Sequence, residues 1–310
     1  MKKTLVIGEL NTDLIVTGLE EFPQLGREIL CGEFKQVLGS SSAIFASKLA
    51  GLGTPVEFMG LIGDDDRGRF VVSELQGNGV GTELIATRPD VSTGVGISLS
   101  FPEDRAIITY PGSIAVLSVE DIDLEVLSSY DHLHVASYFL QRGLQPGLHT
   151  IFARAHAEGL TISFDTGWDP DNAWGKELLA RISHVDVFLP NEDEALALTG
   201  RERVEQALRA LVELCPLVAL KLGADGAVAQ ARDGEMICAA GYPAEVVDTT
   251  GAGDSFDAGF VFSYVLQGRS LAESLRFANA CGALAVSHVG GASHGPTAEE
   301  VEEFIRSRET

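Results

Sequence analysis

The sequence predicts an α/β fold: one central, mainly parallel sheet of about eight or nine strands, covered by helices on both sides and carrying a small β lid. Three observations point to it. Short apolar, β-branched runs alternate with segments of helical spacing along the chain. Two stretches, 11–35 and 91–112, break that rhythm. Hydrophobic residues make up 45% of the 310, enough for a sizeable core, yet no uninterrupted apolar run approaches the roughly 18 residues of a membrane span.

The first strand is TLVIG (4–8), followed by the polar ELNTD. In SSSAIFASKLAGLG (40–53), Ala43, Ile44, Ala46, Leu49 and Ala50 fall at helical spacing, with serines at the start as caps and Gly53 at the end. VEFMGLIG reads as a buried strand, and DDDRGRFVVSELQGNGV as a helix closed by a glycine-rich turn. HLHVA, LTISFD, DVFLP and LVALKLG are further strands, and helical spacing recurs at 143–158, 172–182, 191–199 and 203–214. Residues 11–35 are polar and turn-rich, while VSTGVGISLSFPEDRAIITY (91–110) alternates apolar and polar residues around a Pro-Glu-Asp turn, as a hairpin does. The two stretches are expected to pair into a second sheet over the main domain (1–10, 36–90 and 113–310); long surface loops are the alternative.

With 45 acidic and 22 basic residues the net charge is −23, which repels nucleic acid. It repels free nucleotides too, so a nucleotide site here must create local positive potential from backbone dipoles or a metal ion. Cys31, Cys215, Cys238 and Cys281 are scattered without a CxxC pair, as expected of small buried hydrophobes in a reduced, cytoplasmic protein. The opening MKKTLVIGEL breaks at Glu9, too early for a signal peptide.

The chemistry concentrates in DTTGAGDSFDAGF (248–260). A glycine turn opening onto a helix leaves converging backbone N–H groups at the positive end of the helix dipole, an anion site that glycine lets a phosphate approach closely. Gly251, Ala252 and Gly253 form the turn; Phe256, Phe260, Val261, Tyr264 and Val265 give the helix an apolar face. No lysine follows the glycines, which excludes a Walker loop, and the late position with Phe256 in the third place excludes a dinucleotide fingerprint. A carboxylate here repels a bound phosphate unless it has a task. Asp254 is placed to accept a proton from a hydroxyl attacking that phosphate, with simple helix capping as the alternative. Asp257, one turn on, reads as structural or solvated. Lys221 ends an apolar strand and so faces the ligand crevice of a parallel sheet; Asn11 and Asp13, just past the first strand, face the same crevice unless they merely form an Asx turn. Asn191 and Glu194 read, on the residues alone, as a helix start with an acidic first turn.

Over essentially its whole length the sequence resembles the ribokinase family of sugar and nucleoside kinases, the PfkB carbohydrate kinases. DTTGAGDSFDAGF matches the family's C-terminal signature, LPNEDEALALTG its NxxE motif, ALKLGADGAVA a strand–turn segment and FANACGALAVSHVGG its final helix and loop. The resemblance implies the three-layer ribokinase-like fold and ATP-dependent phosphorylation of a primary hydroxyl of a small sugar-like substrate. It makes Asp254 the base and Gly251–Gly253 the anion hole. It places Asn191 and Glu194 near Mg²⁺ and the phosphates through water, Lys221 and Gly223 along the phosphates, and Gly226 and Asn279 on the nucleotide side. K⁺ would be held near Asp248 and Thr250 and by the loop around 287–293. Asp13, with Asn11, would grip sugar hydroxyls, and a homodimer would form through the lid.

The stretch LGSSSAIF departs from the family pattern. Gly39 is kept, but Ser40 replaces the second glycine of a Gly-Gly pair, Ser41 stands where ribokinases carry lysine, and Ile44 replaces asparagine. An apolar Ile44 in the sugar pocket disfavours ribose, since an unpaired buried hydroxyl is costly. A nucleoside kinase, with Phe22, Phe34, Phe101 or Tyr110 stacking a base, and a non-catalytic sugar sensor are the competing functions.

Overall fold

A computed structural model describes residues 2–101, 105–287, 290–291 and 295–308. The chain enters through β1 (Thr4–Ile7), β2 (Asn11–Thr17) and β3 (Glu33–Leu38), then α1 (Ser41–Gly51), β4 (Val56–Gly63), α2 (Asp66–Gly77) and β5 (Gly81–Arg88). A hairpin of β6 (Gly94–Ser100) and β7 (Arg105–Tyr110) precedes the one-turn α3 (Ser113–Val116). There follow β8 (His132–Val135), α4 (Leu148–Ala157), β9 (Thr161–Phe164), α5 (Lys176–Ile182), β10 (Val187–Phe188), α6 (Glu192–Thr199) and α7 (Val204–Val212). The last part is β11 (Leu217–Lys221), β12 (Ala227–Ala231), β13 (Met236–Ala239), α8 (Ala252–Phe260), α9 (Leu271–Ala285) and α10 (Ala298–Arg308).

Nine strands form the large sheet in the order β13-β12-β11-β10-β9-β8-β1-β4-β5. All its pairings are parallel except those of β12 and β13 at one edge. Both faces are buried, which is why strands such as TLVI and LVAL read as unbroken apolar runs. Val6, Leu217 and Ala219 point into one core with α1, α8 and α9; Leu5, Ile7, Val218 and Leu220 point into the other with α4 and α7.

A separate four-stranded sheet has the order β3-β2-β6-β7, with β2 parallel to β6. Three residues after β1, the chain leaves the large sheet and enters this one, so Asn11 and Asp13 begin where the central strand ends. β3 continues to Leu38, three residues beyond the expected end of the excursion at 35, because its Leu38 still pairs with Thr12. The helix expected over 172–182 starts at Lys176: Asp169 instead holds 171–174 in a turn, accepting from the amides of Asp171, Ala173 and Trp174 at 2.8–3.0 Å. The cysteines divide: Cys215 and Cys281 are buried as expected, but Cys31 and Cys238 are exposed, on the small-sheet loop and on edge strand β13. No helix among the described residues is long and apolar enough to cross a membrane.

Candidate active site

At the start of α8, Gly251 adopts φ 76°, and a Cβ there would stand 2.6 Å from Gly291 Cα and 3.0 Å from Ile44 Cγ2. Only glycine satisfies both the backbone angle and the close approach. No side chain caps the helix; Ala252 N donates to Thr249 O at 3.3 Å, while the amides of Gly253 and Asp254 remain open to a ligand. Asp254 lies in the first turn but does not cap it. Its carboxyl lies close enough to the Ser41 side chain, at the start of α1, for that hydroxyl to favour the carboxylate. Burial pushes the Asp254 pKa up to about 8, reinforced by the nearby Asp165 and Glu9 and opposed by Lys221 and the Ser41 hydroxyl. The helix end by itself favours the carboxylate, but desolvation outweighs the dipole.

Lys221 ends β11, as expected, but its ammonium is already engaged. Nζ donates to Asp165 Oδ2 at 2.6 Å and to both carboxyl oxygens of Asp257 at 3.0 Å. Asp257 is therefore not solvated; it is 1% exposed. Burial pushes its carboxyl well up. The Lys221 charge, against the cost of burial, holds Asp165 below the usual range. Asp165, the last residue of LTISFD, is the participant that sequence reasoning missed: a carboxylate ending an apolar central strand was the available signal.

Asn191 and Glu194 form a reciprocal capping box on α6, each side chain accepting the other's amide at 2.9 Å. The helix-start reading thus holds. The same residues also border the cluster, since Asn191 bridges Lys221 across the strand ends. Burial, with Asp165 nearby, raises Glu194 to about 7. Beyond Lys221 a cleft of about 560 Å³ opens between the β11–β12 turn and α8–α9, and Gly223, Gly226, Ala252, Gly253 and Asn279 all line it. Gly226 has φ 98°, and Asn279 Nδ2 donates to the carbonyls of Ala239 (3.0 Å) and Ala240 (3.1 Å), fixing one wall.

On the other side, Asn11 Nδ2 donates to Asp13 Oδ1 at 2.7 Å. A Cβ at Gly39 or at Gly96 would come within 2.4 or 2.3 Å of Asp13 Oδ1, so both glycines make room for that carboxylate. Ser40, at φ 74°, is held in a conformation natural to glycine by donating to Glu9 O at 2.6 Å and accepting from Ala43 N at 2.9 Å. Gly39 thus makes room for Asp13 while Ser41, two residues on, lies near Asp254: both carboxylates adjoin the start of α1. Ile44, expected to border the sugar pocket, is 3% exposed and packs its methyl groups against Gly251 and Gly291, behind the turn. Glu9, also unforeseen, lies buried beneath α1, accepting from Ser42 N at 3.2 Å and Ser42 Oγ at 2.5 Å.

Asp248 ties the turn to the C-terminal loop: Oδ1 accepts from Thr250 N and Oδ2 from Gly290 N, both at 2.9 Å. The rest of the expected K⁺ loop, at 288–289 and 292–293, lies outside the described residues. Among the described residues no group of three or more His, Cys, Asp or Glu side chains forms a metal cage.

An α/β sheet with an uncapped glycine turn and an apolar cleft at its C-terminal edge defines the class, a small-molecule kinase. The chain belongs to the pfkB family of carbohydrate kinases, which matches residues 1–298. It is 31% identical to an ATP-dependent ribose-1-phosphate kinase of Halopiger xanaduensis, over 99% of each chain. It is 28% identical to a 5-dehydro-2-deoxygluconokinase of Geobacillus thermodenitrificans, over 88% of this chain and 85% of that one. Among solved structures, Arabidopsis thaliana ribokinase complexed with ribose and ATP has TM-score 0.83 at 27% identity, covering 98% of this chain and 99% of that one. An E. coli protein named as a ribokinase II, in complex with ATP and Mg²⁺, has TM-score 0.87 at 25% identity, covering 99% and 100%.

Proposed function

We propose that this protein transfers the γ-phosphoryl group of ATP to a primary hydroxyl of a small sugar or sugar-like alcohol. The observation that carries the reading is the position of Asp254. It sets a carboxyl in the first turn of α8, beside the open Gly253 amide and near Ser41, in the helix start that follows Gly39, the glycine that makes room for Asp13. ATP lies in the cleft between the β11–β12 turn and α9, with its phosphates toward Gly253 and Lys221. Asp13, with Asn11, accepts hydrogen bonds from sugar hydroxyls. Asp254, as carboxylate, takes the proton of the attacking hydroxyl as its oxygen bonds the γ-phosphorus and the bond to the β-phosphate oxygen breaks, releasing ADP. The open amides meet the negative charge on the transferring group.

Mg²⁺ fits the donors present: Glu194 keeps one carboxyl oxygen beyond its capping bond, and Mg²⁺ characteristically uses one or two carboxylates, waters and substrate phosphates. When bound, it neutralises the β- and γ-phosphate oxygens. A K⁺ beside Asp248 and Thr250 is part of the same proposal; equal turnover in potassium and in bulky organic-cation buffers would contradict it.

A homodimer through the small sheet is supported by that sheet's outer face. The register puts Leu14, Val16, Phe34, Ile97, Ile108 and Tyr110 on one side, with Phe34, Ile108 and Tyr110 exposed. Four free cysteines agree with a cytoplasmic protein. The relatives widen the acceptors worth testing to sugar phosphates and deoxy sugar acids. With Ile44 behind the turn, ribose is disfavoured only by the missing asparagine amide. Coupled ADP release against a panel of ribose, hexoses, sugar acids, ribose-1-phosphate and nucleosides tests the function. Turnover is expected with a sugar-like alcohol; preference for a nucleoside would move the assignment to a nucleoside kinase, and binding without turnover to a sensor.

A further inference from the structure

Lys221 sits where three elements converge. Asp165 reaches it from the end of β9 and Asp257 from α8, one turn beyond Asp254. Its side chain is 12% exposed, and Asp165 is itself fixed by accepting from Gly167 N at 2.6 Å. A Cβ at Gly253 would stand 3.7 Å from Nζ, so the ammonium abuts the glycine turn. A lysine ammonium has three N–H donors. Asp165 takes one at 2.6 Å, and the two oxygens of Asp257, both 3.0 Å from Nζ, accept the rest; when those two oxygens share one N–H, a third donor is released toward the cleft that Lys221 lines.

Burying three ionisable side chains together is seldom the most stable choice; apolar residues of the same volume commonly do as well or better. A lone lysine, on a four-carbon stem, would sample many rotamers at the mouth of the cleft. Two acceptors fixed on separate elements remove that freedom.

We propose that Asp165 and Asp257 are positioning residues that hold the Lys221 ammonium against the Gly251–Gly253 turn, so that, with the two Asp257 oxygens sharing one N–H, another N–H donates to a phosphoryl oxygen of the bound nucleotide. This rests on the nucleotide reading of the cleft. Removing either carboxylate charge while keeping side-chain shape loosens Lys221 and weakens phosphate binding. A purely structural tie between β9, β11 and α8 would instead change stability without coupling to the nucleotide.

Double-mutant cycles separate these. Asp257→Asn, Asp165→Asn and Lys221→Met are compared singly and in pairs, reading the Kd for MgADP by calorimetry, KM for MgATP against KM for the sugar, and Tm. Each single change is expected to weaken MgADP and raise KM for MgATP by about tenfold, leaving KM for the sugar unchanged. In the Lys221→Met background, adding either Asp→Asn change should cost less than about twofold. Asp→Asn variants that bind MgADP within about twofold of wild type overturn the inference, as do losses that multiply in the double variants. If Asp165→Asn does not fold, the Asp257–Lys221 cycle decides alone. Wild-type protein that binds MgADP but phosphorylates no acceptor defeats the kinase reading and leaves the binding cycle decisive; protein that does not bind MgADP overturns both.

Discussion

At the phosphate end of the crevice, Asp165, Glu194, Asp254 and Asp257 crowd around one ammonium, that of Lys221, and three of the four carboxyls are pushed up by burial. At the acceptor end, Asn11 and Asp13 start an edge-exposed sheet whose clearance comes from two glycines and whose outer face is open. The first region is fixed by helices and central strands packed on both sides. The second is a four-stranded sheet packed against α2 and joined to the start of α1. Under the proposed function the contrast separates reaction from selectivity: the buried end would supply charge control common to any acceptor, and the small-sheet end the shape that chooses one.

Removing the divalent cation should have the largest effect. With more carboxyls than cations at the phosphate end, EDTA is expected to reduce turnover to background and Mg²⁺ to restore it; EDTA-insensitive turnover would erase the distinction between the two ends. Asp13→Ala comes next, lowering kcat/KM for the sugar by about 2 kcal/mol, roughly 30-fold, with MgADP affinity unchanged. A matching loss of nucleotide affinity would mean the two ends are not separable.

The pH profile sharpens the buried end further. If Asp254 is the base it must be deprotonated, and burial raises it to about 8, so kcat/KM should rise with pH through that region. Ser41 stabilises the carboxylate, so Ser41→Ala should move the rising limb to higher pH. A profile flat from pH 6 to 9, or a limb that moves down, would remove Asp254 from the titration. The smallest effect is on stability: Asn191→Ala, losing a helix cap, should cost about 1 kcal/mol in chemical denaturation. A null result there would leave the capping box without energetic weight.

The same contrast explains what the sequence disclosed. The large sheet was legible because strands buried on both faces are continuous apolar runs and their helices carry serine, asparagine and glycine ends, as at Ser40, Asn191 and Gly200. The glycine turn was legible because its backbone demands glycine at 251. Side-chain pairing across distant elements was not. Nothing local to Asp257 tells that Lys221, 36 residues earlier, meets it, or that Asp165 completes the cluster. The raised pKa of Asp254 was not legible for a related reason: the helix end is visible in the sequence, whereas burial beside Asp165 and Glu9 is a product of the fold. Ile44 shows the same limit, since its position in α1 is clear but the glycines it packs on are more than 200 residues away.

The most direct test of the central claim follows label from [γ-³²P]ATP to the sugar in a single turnover, for wild type and Asp254→Asn, with MgADP affinity measured in parallel. The account predicts label on a primary hydroxyl with the wild-type protein, and transfer slowed by about 10²–10⁴-fold in Asp254→Asn at nearly unchanged nucleotide affinity. Transfer by Asp254→Asn within a few-fold of wild type would contradict it.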